Sequence, residues 1–270
     1  MRGVTLRLGA GGAIVRRDAA IFLSYRGRLI ATLTSGFFGV AIFYYVSRLV
    51  TAHSFNSSND YFAFVVVGIA TFSILTSTLA TIPSEIRQEL VAGTFERILL
   101  SPFGAVSAII AMTVFPFLMG LLGGIVTLCL AAVAFGMPIE WSTAGLTLPV
   151  LMLGALTFVP FGLLAAAGAI ALKQAAVGVG IVTTLVSLVG GVFFPVALLP
   201  SWIKWTSSVQ PFTPTLDLLR HLLVGAHMNG SPAAALVKMA LFATVLLPLT
   251  VLALRGSIRF AQRRGTIIEY

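Results

Sequence analysis

The chain has 270 residues, of which 58% are hydrophobic and only 9% charged, with a mean hydropathy of +1.04. A soluble domain carries roughly 25% charged residues, so a water-soluble enzyme, a disordered linker and a coiled coil are excluded, and lipid is the natural solvent. The formal net charge of +9 resides beside long apolar runs, which reads as membrane topology and headgroup attraction rather than nucleic-acid binding.

Taken in chain order, residues 1–28 form a basic, loosely amphipathic segment. On a helical wheel Val15, Ala19 and Phe22 fall together, opposite Arg17, Ser24 and Arg28. Such a segment either lies in the headgroup layer or is an ordinary flank that sets topology. A transmembrane helix needs about 20 mostly apolar residues, and six runs approach that criterion: 29–50, 61–82, 103–135, 146–172, 175–194 and 235–254. The first run is too long and too far from the start to be a cleavable signal, so it is expected to stay as an anchor. Lysines and arginines set the orientation. Thirteen lie before the first run, in the turns after the second and fourth, and in the basic tail 255–270, against four (Arg48, Lys204, Arg220 and Lys238) on the other side. Under the positive-inside rule both termini are expected in the cytoplasm of a cell-membrane protein. The predicted fold class is therefore all-α: one polytopic domain over 29–254 with six transmembrane helices.

Two stretches are more than connectors. Residues 83–102, on the predicted cytoplasmic side, read Pro-Ser-Glu-Ile-Arg-Gln-Glu-Leu-Val-Ala-Gly-Thr-Phe-Glu-Arg-Ile-Leu-Leu-Ser-Pro and hold three of the eight acidic residues. Ser84 is expected to cap a short helix after Pro83, and Gly93 to end it in a left-handed conformation. Thr94 is expected to cap a second short helix that stops before Pro102. Interleaved charges with Phe95, Ile98 and Leu99 point to a docking element rather than a solvated loop. Residues 194–232, on the opposite side, are broken by prolines into short pieces. There Ser201 is placed to cap a turn holding Trp202 and Trp205, and Thr213 before Pro214 to start a helix over 215–224. Short re-entrant helices before the last span fit this composition, and Asp217, Arg220 and His221 lie at spacings that favour a local ion pair.

The search for catalytic chemistry finds little. Cys129 is the single cysteine, too few for a disulfide or a thiolate metal site. His53, His221 and His227 lack metal-ligand spacing. There is no Gly-x-Ser-x-Gly elbow and no Gly-Lys-Ser/Thr phosphate loop. Ionisable relays at mid-membrane are absent from the runs, so work for solute movement has to come from elsewhere. Gly120 and Gly124 form a Gly-x-x-x-Gly pair whose close contact is either internal or between subunits. Tyr44 and Tyr45, with Phe193 and Phe194, either line an apolar substrate path or face lipid and core.

The layout resembles the membrane (permease) subunit of type-2 ABC transporters, the ABC-2 exporter family. The loop Glu89-Leu-Val-Ala-Gly93-Thr94-Phe95-Glu96-Arg97-Ile-Leu-Leu-Ser101-Pro102 is similar to the family's Gly-Thr-x-Glu-x-Leu-x-x-Ser-Pro pattern. Phe193-Phe194-Pro195, Leu199-Pro200, Pro211, Pro214 and Arg220 resemble its outer segment more loosely. The resemblance implies a subunit that is no enzyme itself. It would pair with a second permease copy or relative and be driven by a separate ABC ATPase subunit, which holds ATP and Mg; no cofactor is expected on this chain. It further implies that Glu85, Arg87, Glu89, Gly93, Thr94, Phe95, Glu96 and Arg97 form the coupling element seated in the ATPase. An almost uncharged set of spans points to an amphiphilic drug-like or lipid cargo. A lipid-linked glycan is the second cargo class, and a non-transporting membrane scaffold or sensor is the alternative from a different class.

Overall fold

In an apolar solvent every backbone amide has to be satisfied within its own segment, and long helices are the simplest solution. The computed structural model describes residues 2–49, 55, 57–100, 104–172, 175–228 and 230–264, and all regular structure among them is helical. In order these are α1 (Arg2–Ser24), α2 (Arg26–Leu49), α3 (Ser58–Val91), α4 (Phe95–Leu99), α5 (Ala105–Phe135), α6 (Trp141–Leu172), α7 (Ala175–Val189), a single 3₁₀ turn (Val196–Leu198), α8 (Ser201–Val209), α9 (Phe212–Val224) and α10 (Pro232–Arg264). Val50, Ser101, Pro102, Phe103, Lys173, His53 and the end of the basic tail, which figured in the expectations, lie outside the described residues.

Four helices, α3, α5, α6 and α10, are long and apolar enough to cross a bilayer. The apolar part of α2, Leu33–Leu49, and that of α7, Gly178–Val189, are shorter. The expected fifth run, 175–194, is shortened because the helix stops at Val189 and the chain turns at Gly190 and Gly191, the latter with φ +82°. At 15 residues α7 spans about 22 Å, less than the ~30 Å hydrocarbon core.

α3 is the spine. It packs against α2, α5, α6, α7 and α9, and its buried positions run from Phe62 to Leu90. Around its first half Phe62, Val66, Ala70 and Ile74 meet Leu121, Phe158, Phe212, Leu216 and Leu219. Around its second half Ile82, Ile86 and Leu90 meet Ile109, Leu163, Ile170, Leu254 and Ile258. Small residues set these approaches. A Cβ at Gly162 of α6 would lie 2.6 Å from the Thr78 carbonyl oxygen, and one at Gly124 of α5 2.8 Å from Ile74 Cδ1. The Gly120/Gly124 pair therefore serves an internal contact with α3.

Three local expectations are corrected. Ser84 caps nothing: α3 continues through Pro83, and the Ser84 hydroxyl donates to the Thr81 carbonyl at 2.8 Å. The reason is phase, since Ile82, Ile86 and Leu90 at four-residue spacing hold one buried face across the proline. Ser201 and Thr213 are helical residues rather than caps, because α8 and α9 start one turn or less earlier, after Pro200 and Pro211. The Asp217–Arg220 ion pair does not form; the ion pairs seen among the described residues are Arg17–Asp18 and Arg17–Glu89. Arg220 is 3% exposed and instead donates to the carbonyls of Phe64 (2.9 Å), Gly191 (2.8 Å) and Val192 (3.1 Å). It joins α9 to α3 and to the turn that ends α7. Burial pushes the Asp217 carboxyl up, an effect that the nearby Arg220 charge partly offsets.

Two consequences are measurable. Gly162→Val should lower stability by about 1–3 kcal/mol in a detergent unfolding titration, because α6 has to move off α3. Gly180→Ala, with open space around it, should leave the midpoint unchanged. Arg220→Met should cost about 3 kcal/mol or more in the same titration, as three carbonyls lose a charged donor.

Candidate functional site: the loop between α3 and α5 and the cavity above it

Up to Leu100 the loop is bonded within itself. α3 ends with Ala92 N–H donating to the Gln88 carbonyl (2.9 Å) and Gly93 N–H to that of Leu90 (3.1 Å). Gly93 takes φ +68°, the left-handed conformation expected of it. Thr94 precedes α4 as predicted, but its side chain makes no capping bond there. Its backbone is already in the helical region, so the hydroxyl turns back and donates to the Glu89 carboxylate and to the Glu89 carbonyl (3.3 Å). Gly93, Thr94 and Glu89 thus form one internally bonded corner. α4 is held to the body by Phe95, which is 1% exposed among Ile86, Leu90 and Ile109.

This architecture divides the eight predicted coupling residues by location. Phe95 is the buried anchor, Glu89 and Thr94 are the staple, Gly93 is the turn, and Glu85 is half-buried. Arg87, Glu96 and Arg97 are exposed. Two apolar residues join them on the surface, Val91 at 64% and Leu100 at 83% exposure. The result is an exposed patch of charged and apolar residues on an internally bonded base.

Sequence reasoning missed the part played by α1. Phe22 packs edge-on against Phe115 of α5, with ring centroids 5.8 Å apart. Arg17 sits between two carboxylates, its Nε 2.9 Å from Asp18 Oδ1 and its Nη1 3.6 Å from Glu89 Oε1. The N-terminal helix therefore reaches the loop directly. The signal in the sequence was a single acidic residue, Asp18, beside Arg16 and Arg17 in a basic segment, and the partner of Arg17 lies more than seventy residues away.

Between α1, α2, α3 and α5 lies a cavity of about 1120 Å³. Its loop end is lined by charged residues, among them Arg17, Asp18, Glu85, Glu89 and Arg97. Ser73, Ser77 and Thr81, at four-residue spacing on α3, supply a stripe of hydroxyls. Phe37 of α2 and Met112, Phe115, Met119 and Leu122 of α5 line it too, with Gly120 of α5 level with Ser77. This volume is at the upper end of what small-molecule sites enclose.

Tyr44, Tyr45, Phe193 and Phe194 sit elsewhere. Tyr44 packs against Phe62 and Phe135 and accepts a hydrogen bond from Arg48 at 3.2 Å. Tyr45 meets the Tyr44 ring edge-on and is 67% exposed, and Phe193 stacks on Phe43 at 5.6 Å. Phe194 lies half-buried in the turn after α7. None of the four lines the large cavity. Among the described residues no group of three or more His, Cys, Asp or Glu is placed to hold a metal ion.

No curated protein matches the chain in sequence. The profile of the ABC-2 type transporter membrane family matches residues 15–224, from within α1 through the loop and the cavity to the end of α9. That match takes in most of the helical body and every element that forms the site, and the chain belongs to the ABC-2 type transporter family as a membrane (permease) subunit.

Proposed function

We propose that the chain is the transmembrane half of an ATP-driven exporter, worked through the loop between α3 and α5 by a separate ABC ATPase subunit that holds ATP and Mg. The observation that carries this reading is mechanical. α3 runs from Ser58 through Pro83 to Val91 as one helix. Arg87 and Val91 of the exposed patch and the hydroxyl stripe along the cavity therefore lie on the same element, with α4 anchored beside its end. An ATPase that grips Arg87, Val91, Glu96, Arg97 and Leu100 would move the cavity wall as it closes. Phe95 and the Glu89–Thr94 staple would keep the patch from yielding locally.

In this reading the loop, α1 and the end of α10 face the cytoplasm of a cell-membrane protein. α2 and α7 complete six crossings, with α7 extended by the irregular turn that follows it, and α8 and α9 re-enter on the far side. A second permease subunit would cover part of the apolar faces that α2 and α7 expose, including Phe38, Ile42, Ile181 and Leu185. The cargo is an amphiphile, drug-like or lipid, taken up in the large cavity and released past Tyr44, Tyr45, Phe193 and Phe194. A lipid-linked glycan fits less well, because the cavity is mostly apolar beyond its charged end.

The coupling role is tested by charge reversal at the exposed position. Tagged chain extracted from native membranes should carry Mg-dependent ATPase activity with it. Glu96→Lys should cut that activity about tenfold or more while the chain still inserts, since a mispaired interface charge costs several kcal/mol. Full retention of ATPase activity by Glu96→Lys together with Arg97→Glu would rule the loop out as the grip.

A further inference from the structure

The charged end of the cavity holds a buried acceptor that export alone does not account for. Arg17, Arg97, Asp18, Glu85 and Glu89 are among the residues that line it. Arg17 is committed to Asp18 and Glu89, and the Glu89 carboxylate also receives the Thr94 hydroxyl. Asp18 is the exception. It is only 9% exposed, its Oδ1 takes the Arg17 Nε–H at 2.9 Å, and its Oδ2 is buried with no hydrogen-bond partner among the described residues. A buried carboxylate oxygen without a donor is costly, and a donor that carries positive charge makes the stronger hydrogen bond to it.

The remainder of the lining favours an elongated apolar body. Along α3 the cavity runs from Ile69 to Glu89, twenty residues and so about 30 Å of helix. Beside the hydroxyl stripe, Met112 and Met119 offer adaptable, polarizable surface, and Phe37 and Phe115 offer aromatic surface. We propose that this cavity binds amphiphiles bearing a protonated primary or secondary amine, with the ammonium directed at Asp18 and the apolar body lying toward Met119 and Leu122. Asp18 is then the specificity-determining residue for the cargo class. The assignment deepens the export reading and rests on it only for the direction in which the ligand moves.

The same ammonium chemistry is found on soluble amphiphilic amines and on the headgroup of phosphatidylethanolamine. The test uses full-length chain in nanodiscs of phosphatidylcholine and phosphatidylglycerol, which offer no N–H donor, with empty discs as the partition blank. The probe is a dansyl-labelled decylammonium, compared with its N-acetylated, uncharged form. The amine should bind at least tenfold tighter than the acetylated probe. Asp18→Asn should abolish that preference, and Met119→Trp, which fills the apolar end, should weaken both probes. Competition by added phosphatidylethanolamine assigns the site to a lipid amine; indifference to it assigns the site to a soluble one. Equal binding of the two probes to the unmodified chain would overturn the proposal, as would an unchanged preference in Asp18→Asn or undiminished binding to Met119→Trp. No ATPase or nucleotide is present, so amine binding without ATPase capture would count against the export reading and leave the site standing.

Discussion

One buried guanidinium fixes the end of the molecule farthest from the loop. Where α7 stops short, the turn through Gly191 and Val192 leaves carbonyl groups pointing inward with no helix to receive them. Arg220 reaches them from α9 and at the same time reaches the Phe64 carbonyl on α3, its charge lying over the Phe64 ring. A cation so placed is worth having only if its donors are used, and here they are. Gly68 makes the approach possible, because a Cβ there would sit 2.3 Å from the Val192 oxygen. The irregular segment after α7 is thus tied to the same helix that bears the loop.

From that fixed end α3 carries structure to the other. Its first half is enclosed by α5, α6 and α9, and its second half by α5 and α6, with the end of α10 joining the same core alongside α6. Toward the loop the contacts change character, from aliphatic packing around Ile82 and Ile86 to the bonded corner of Glu89, Gly93 and Thr94. Phe95 brings the chain back into the core one residue after that corner. Residues that look alike in the loop sequence, such as Glu89 and Glu96, therefore do different work. One carboxylate is spent inside the fold and the other faces out.

Four of the six apolar runs, those of α3, α5, α6 and α10, were legible because their signal is additive: twenty residues of one character outweigh any local exception. Gly93 was legible because few other residues tolerate its backbone conformation. The misreadings share a cause. Ser84, Ser201 and Thr213 follow or precede prolines in ways that mark helix starts in water. In an apolar body Pro83 sits mid-helix at little cost because the buried stripe continues past it. Pairing between Asp217 and Arg220 was inferred from spacing on one helix, but the competing acceptors lie on α3 and after α7, distances in sequence that no local pattern reports. Arg17 escaped notice for the same reason, and so did the cavity, which is made by four helices and marked by none of them.

Pro83 has one more effect. Lacking an amide hydrogen, it gives nothing to the Leu79 carbonyl four residues back, and its ring crowds that oxygen. α3 is accordingly a stiff strut with one soft joint, set between Thr81 and Glu85, where the cavity wall passes from hydroxyls to charge. Any bend of α3 has its cheapest flexure there, at the border between the hydroxyl-lined and the charged part of the cavity.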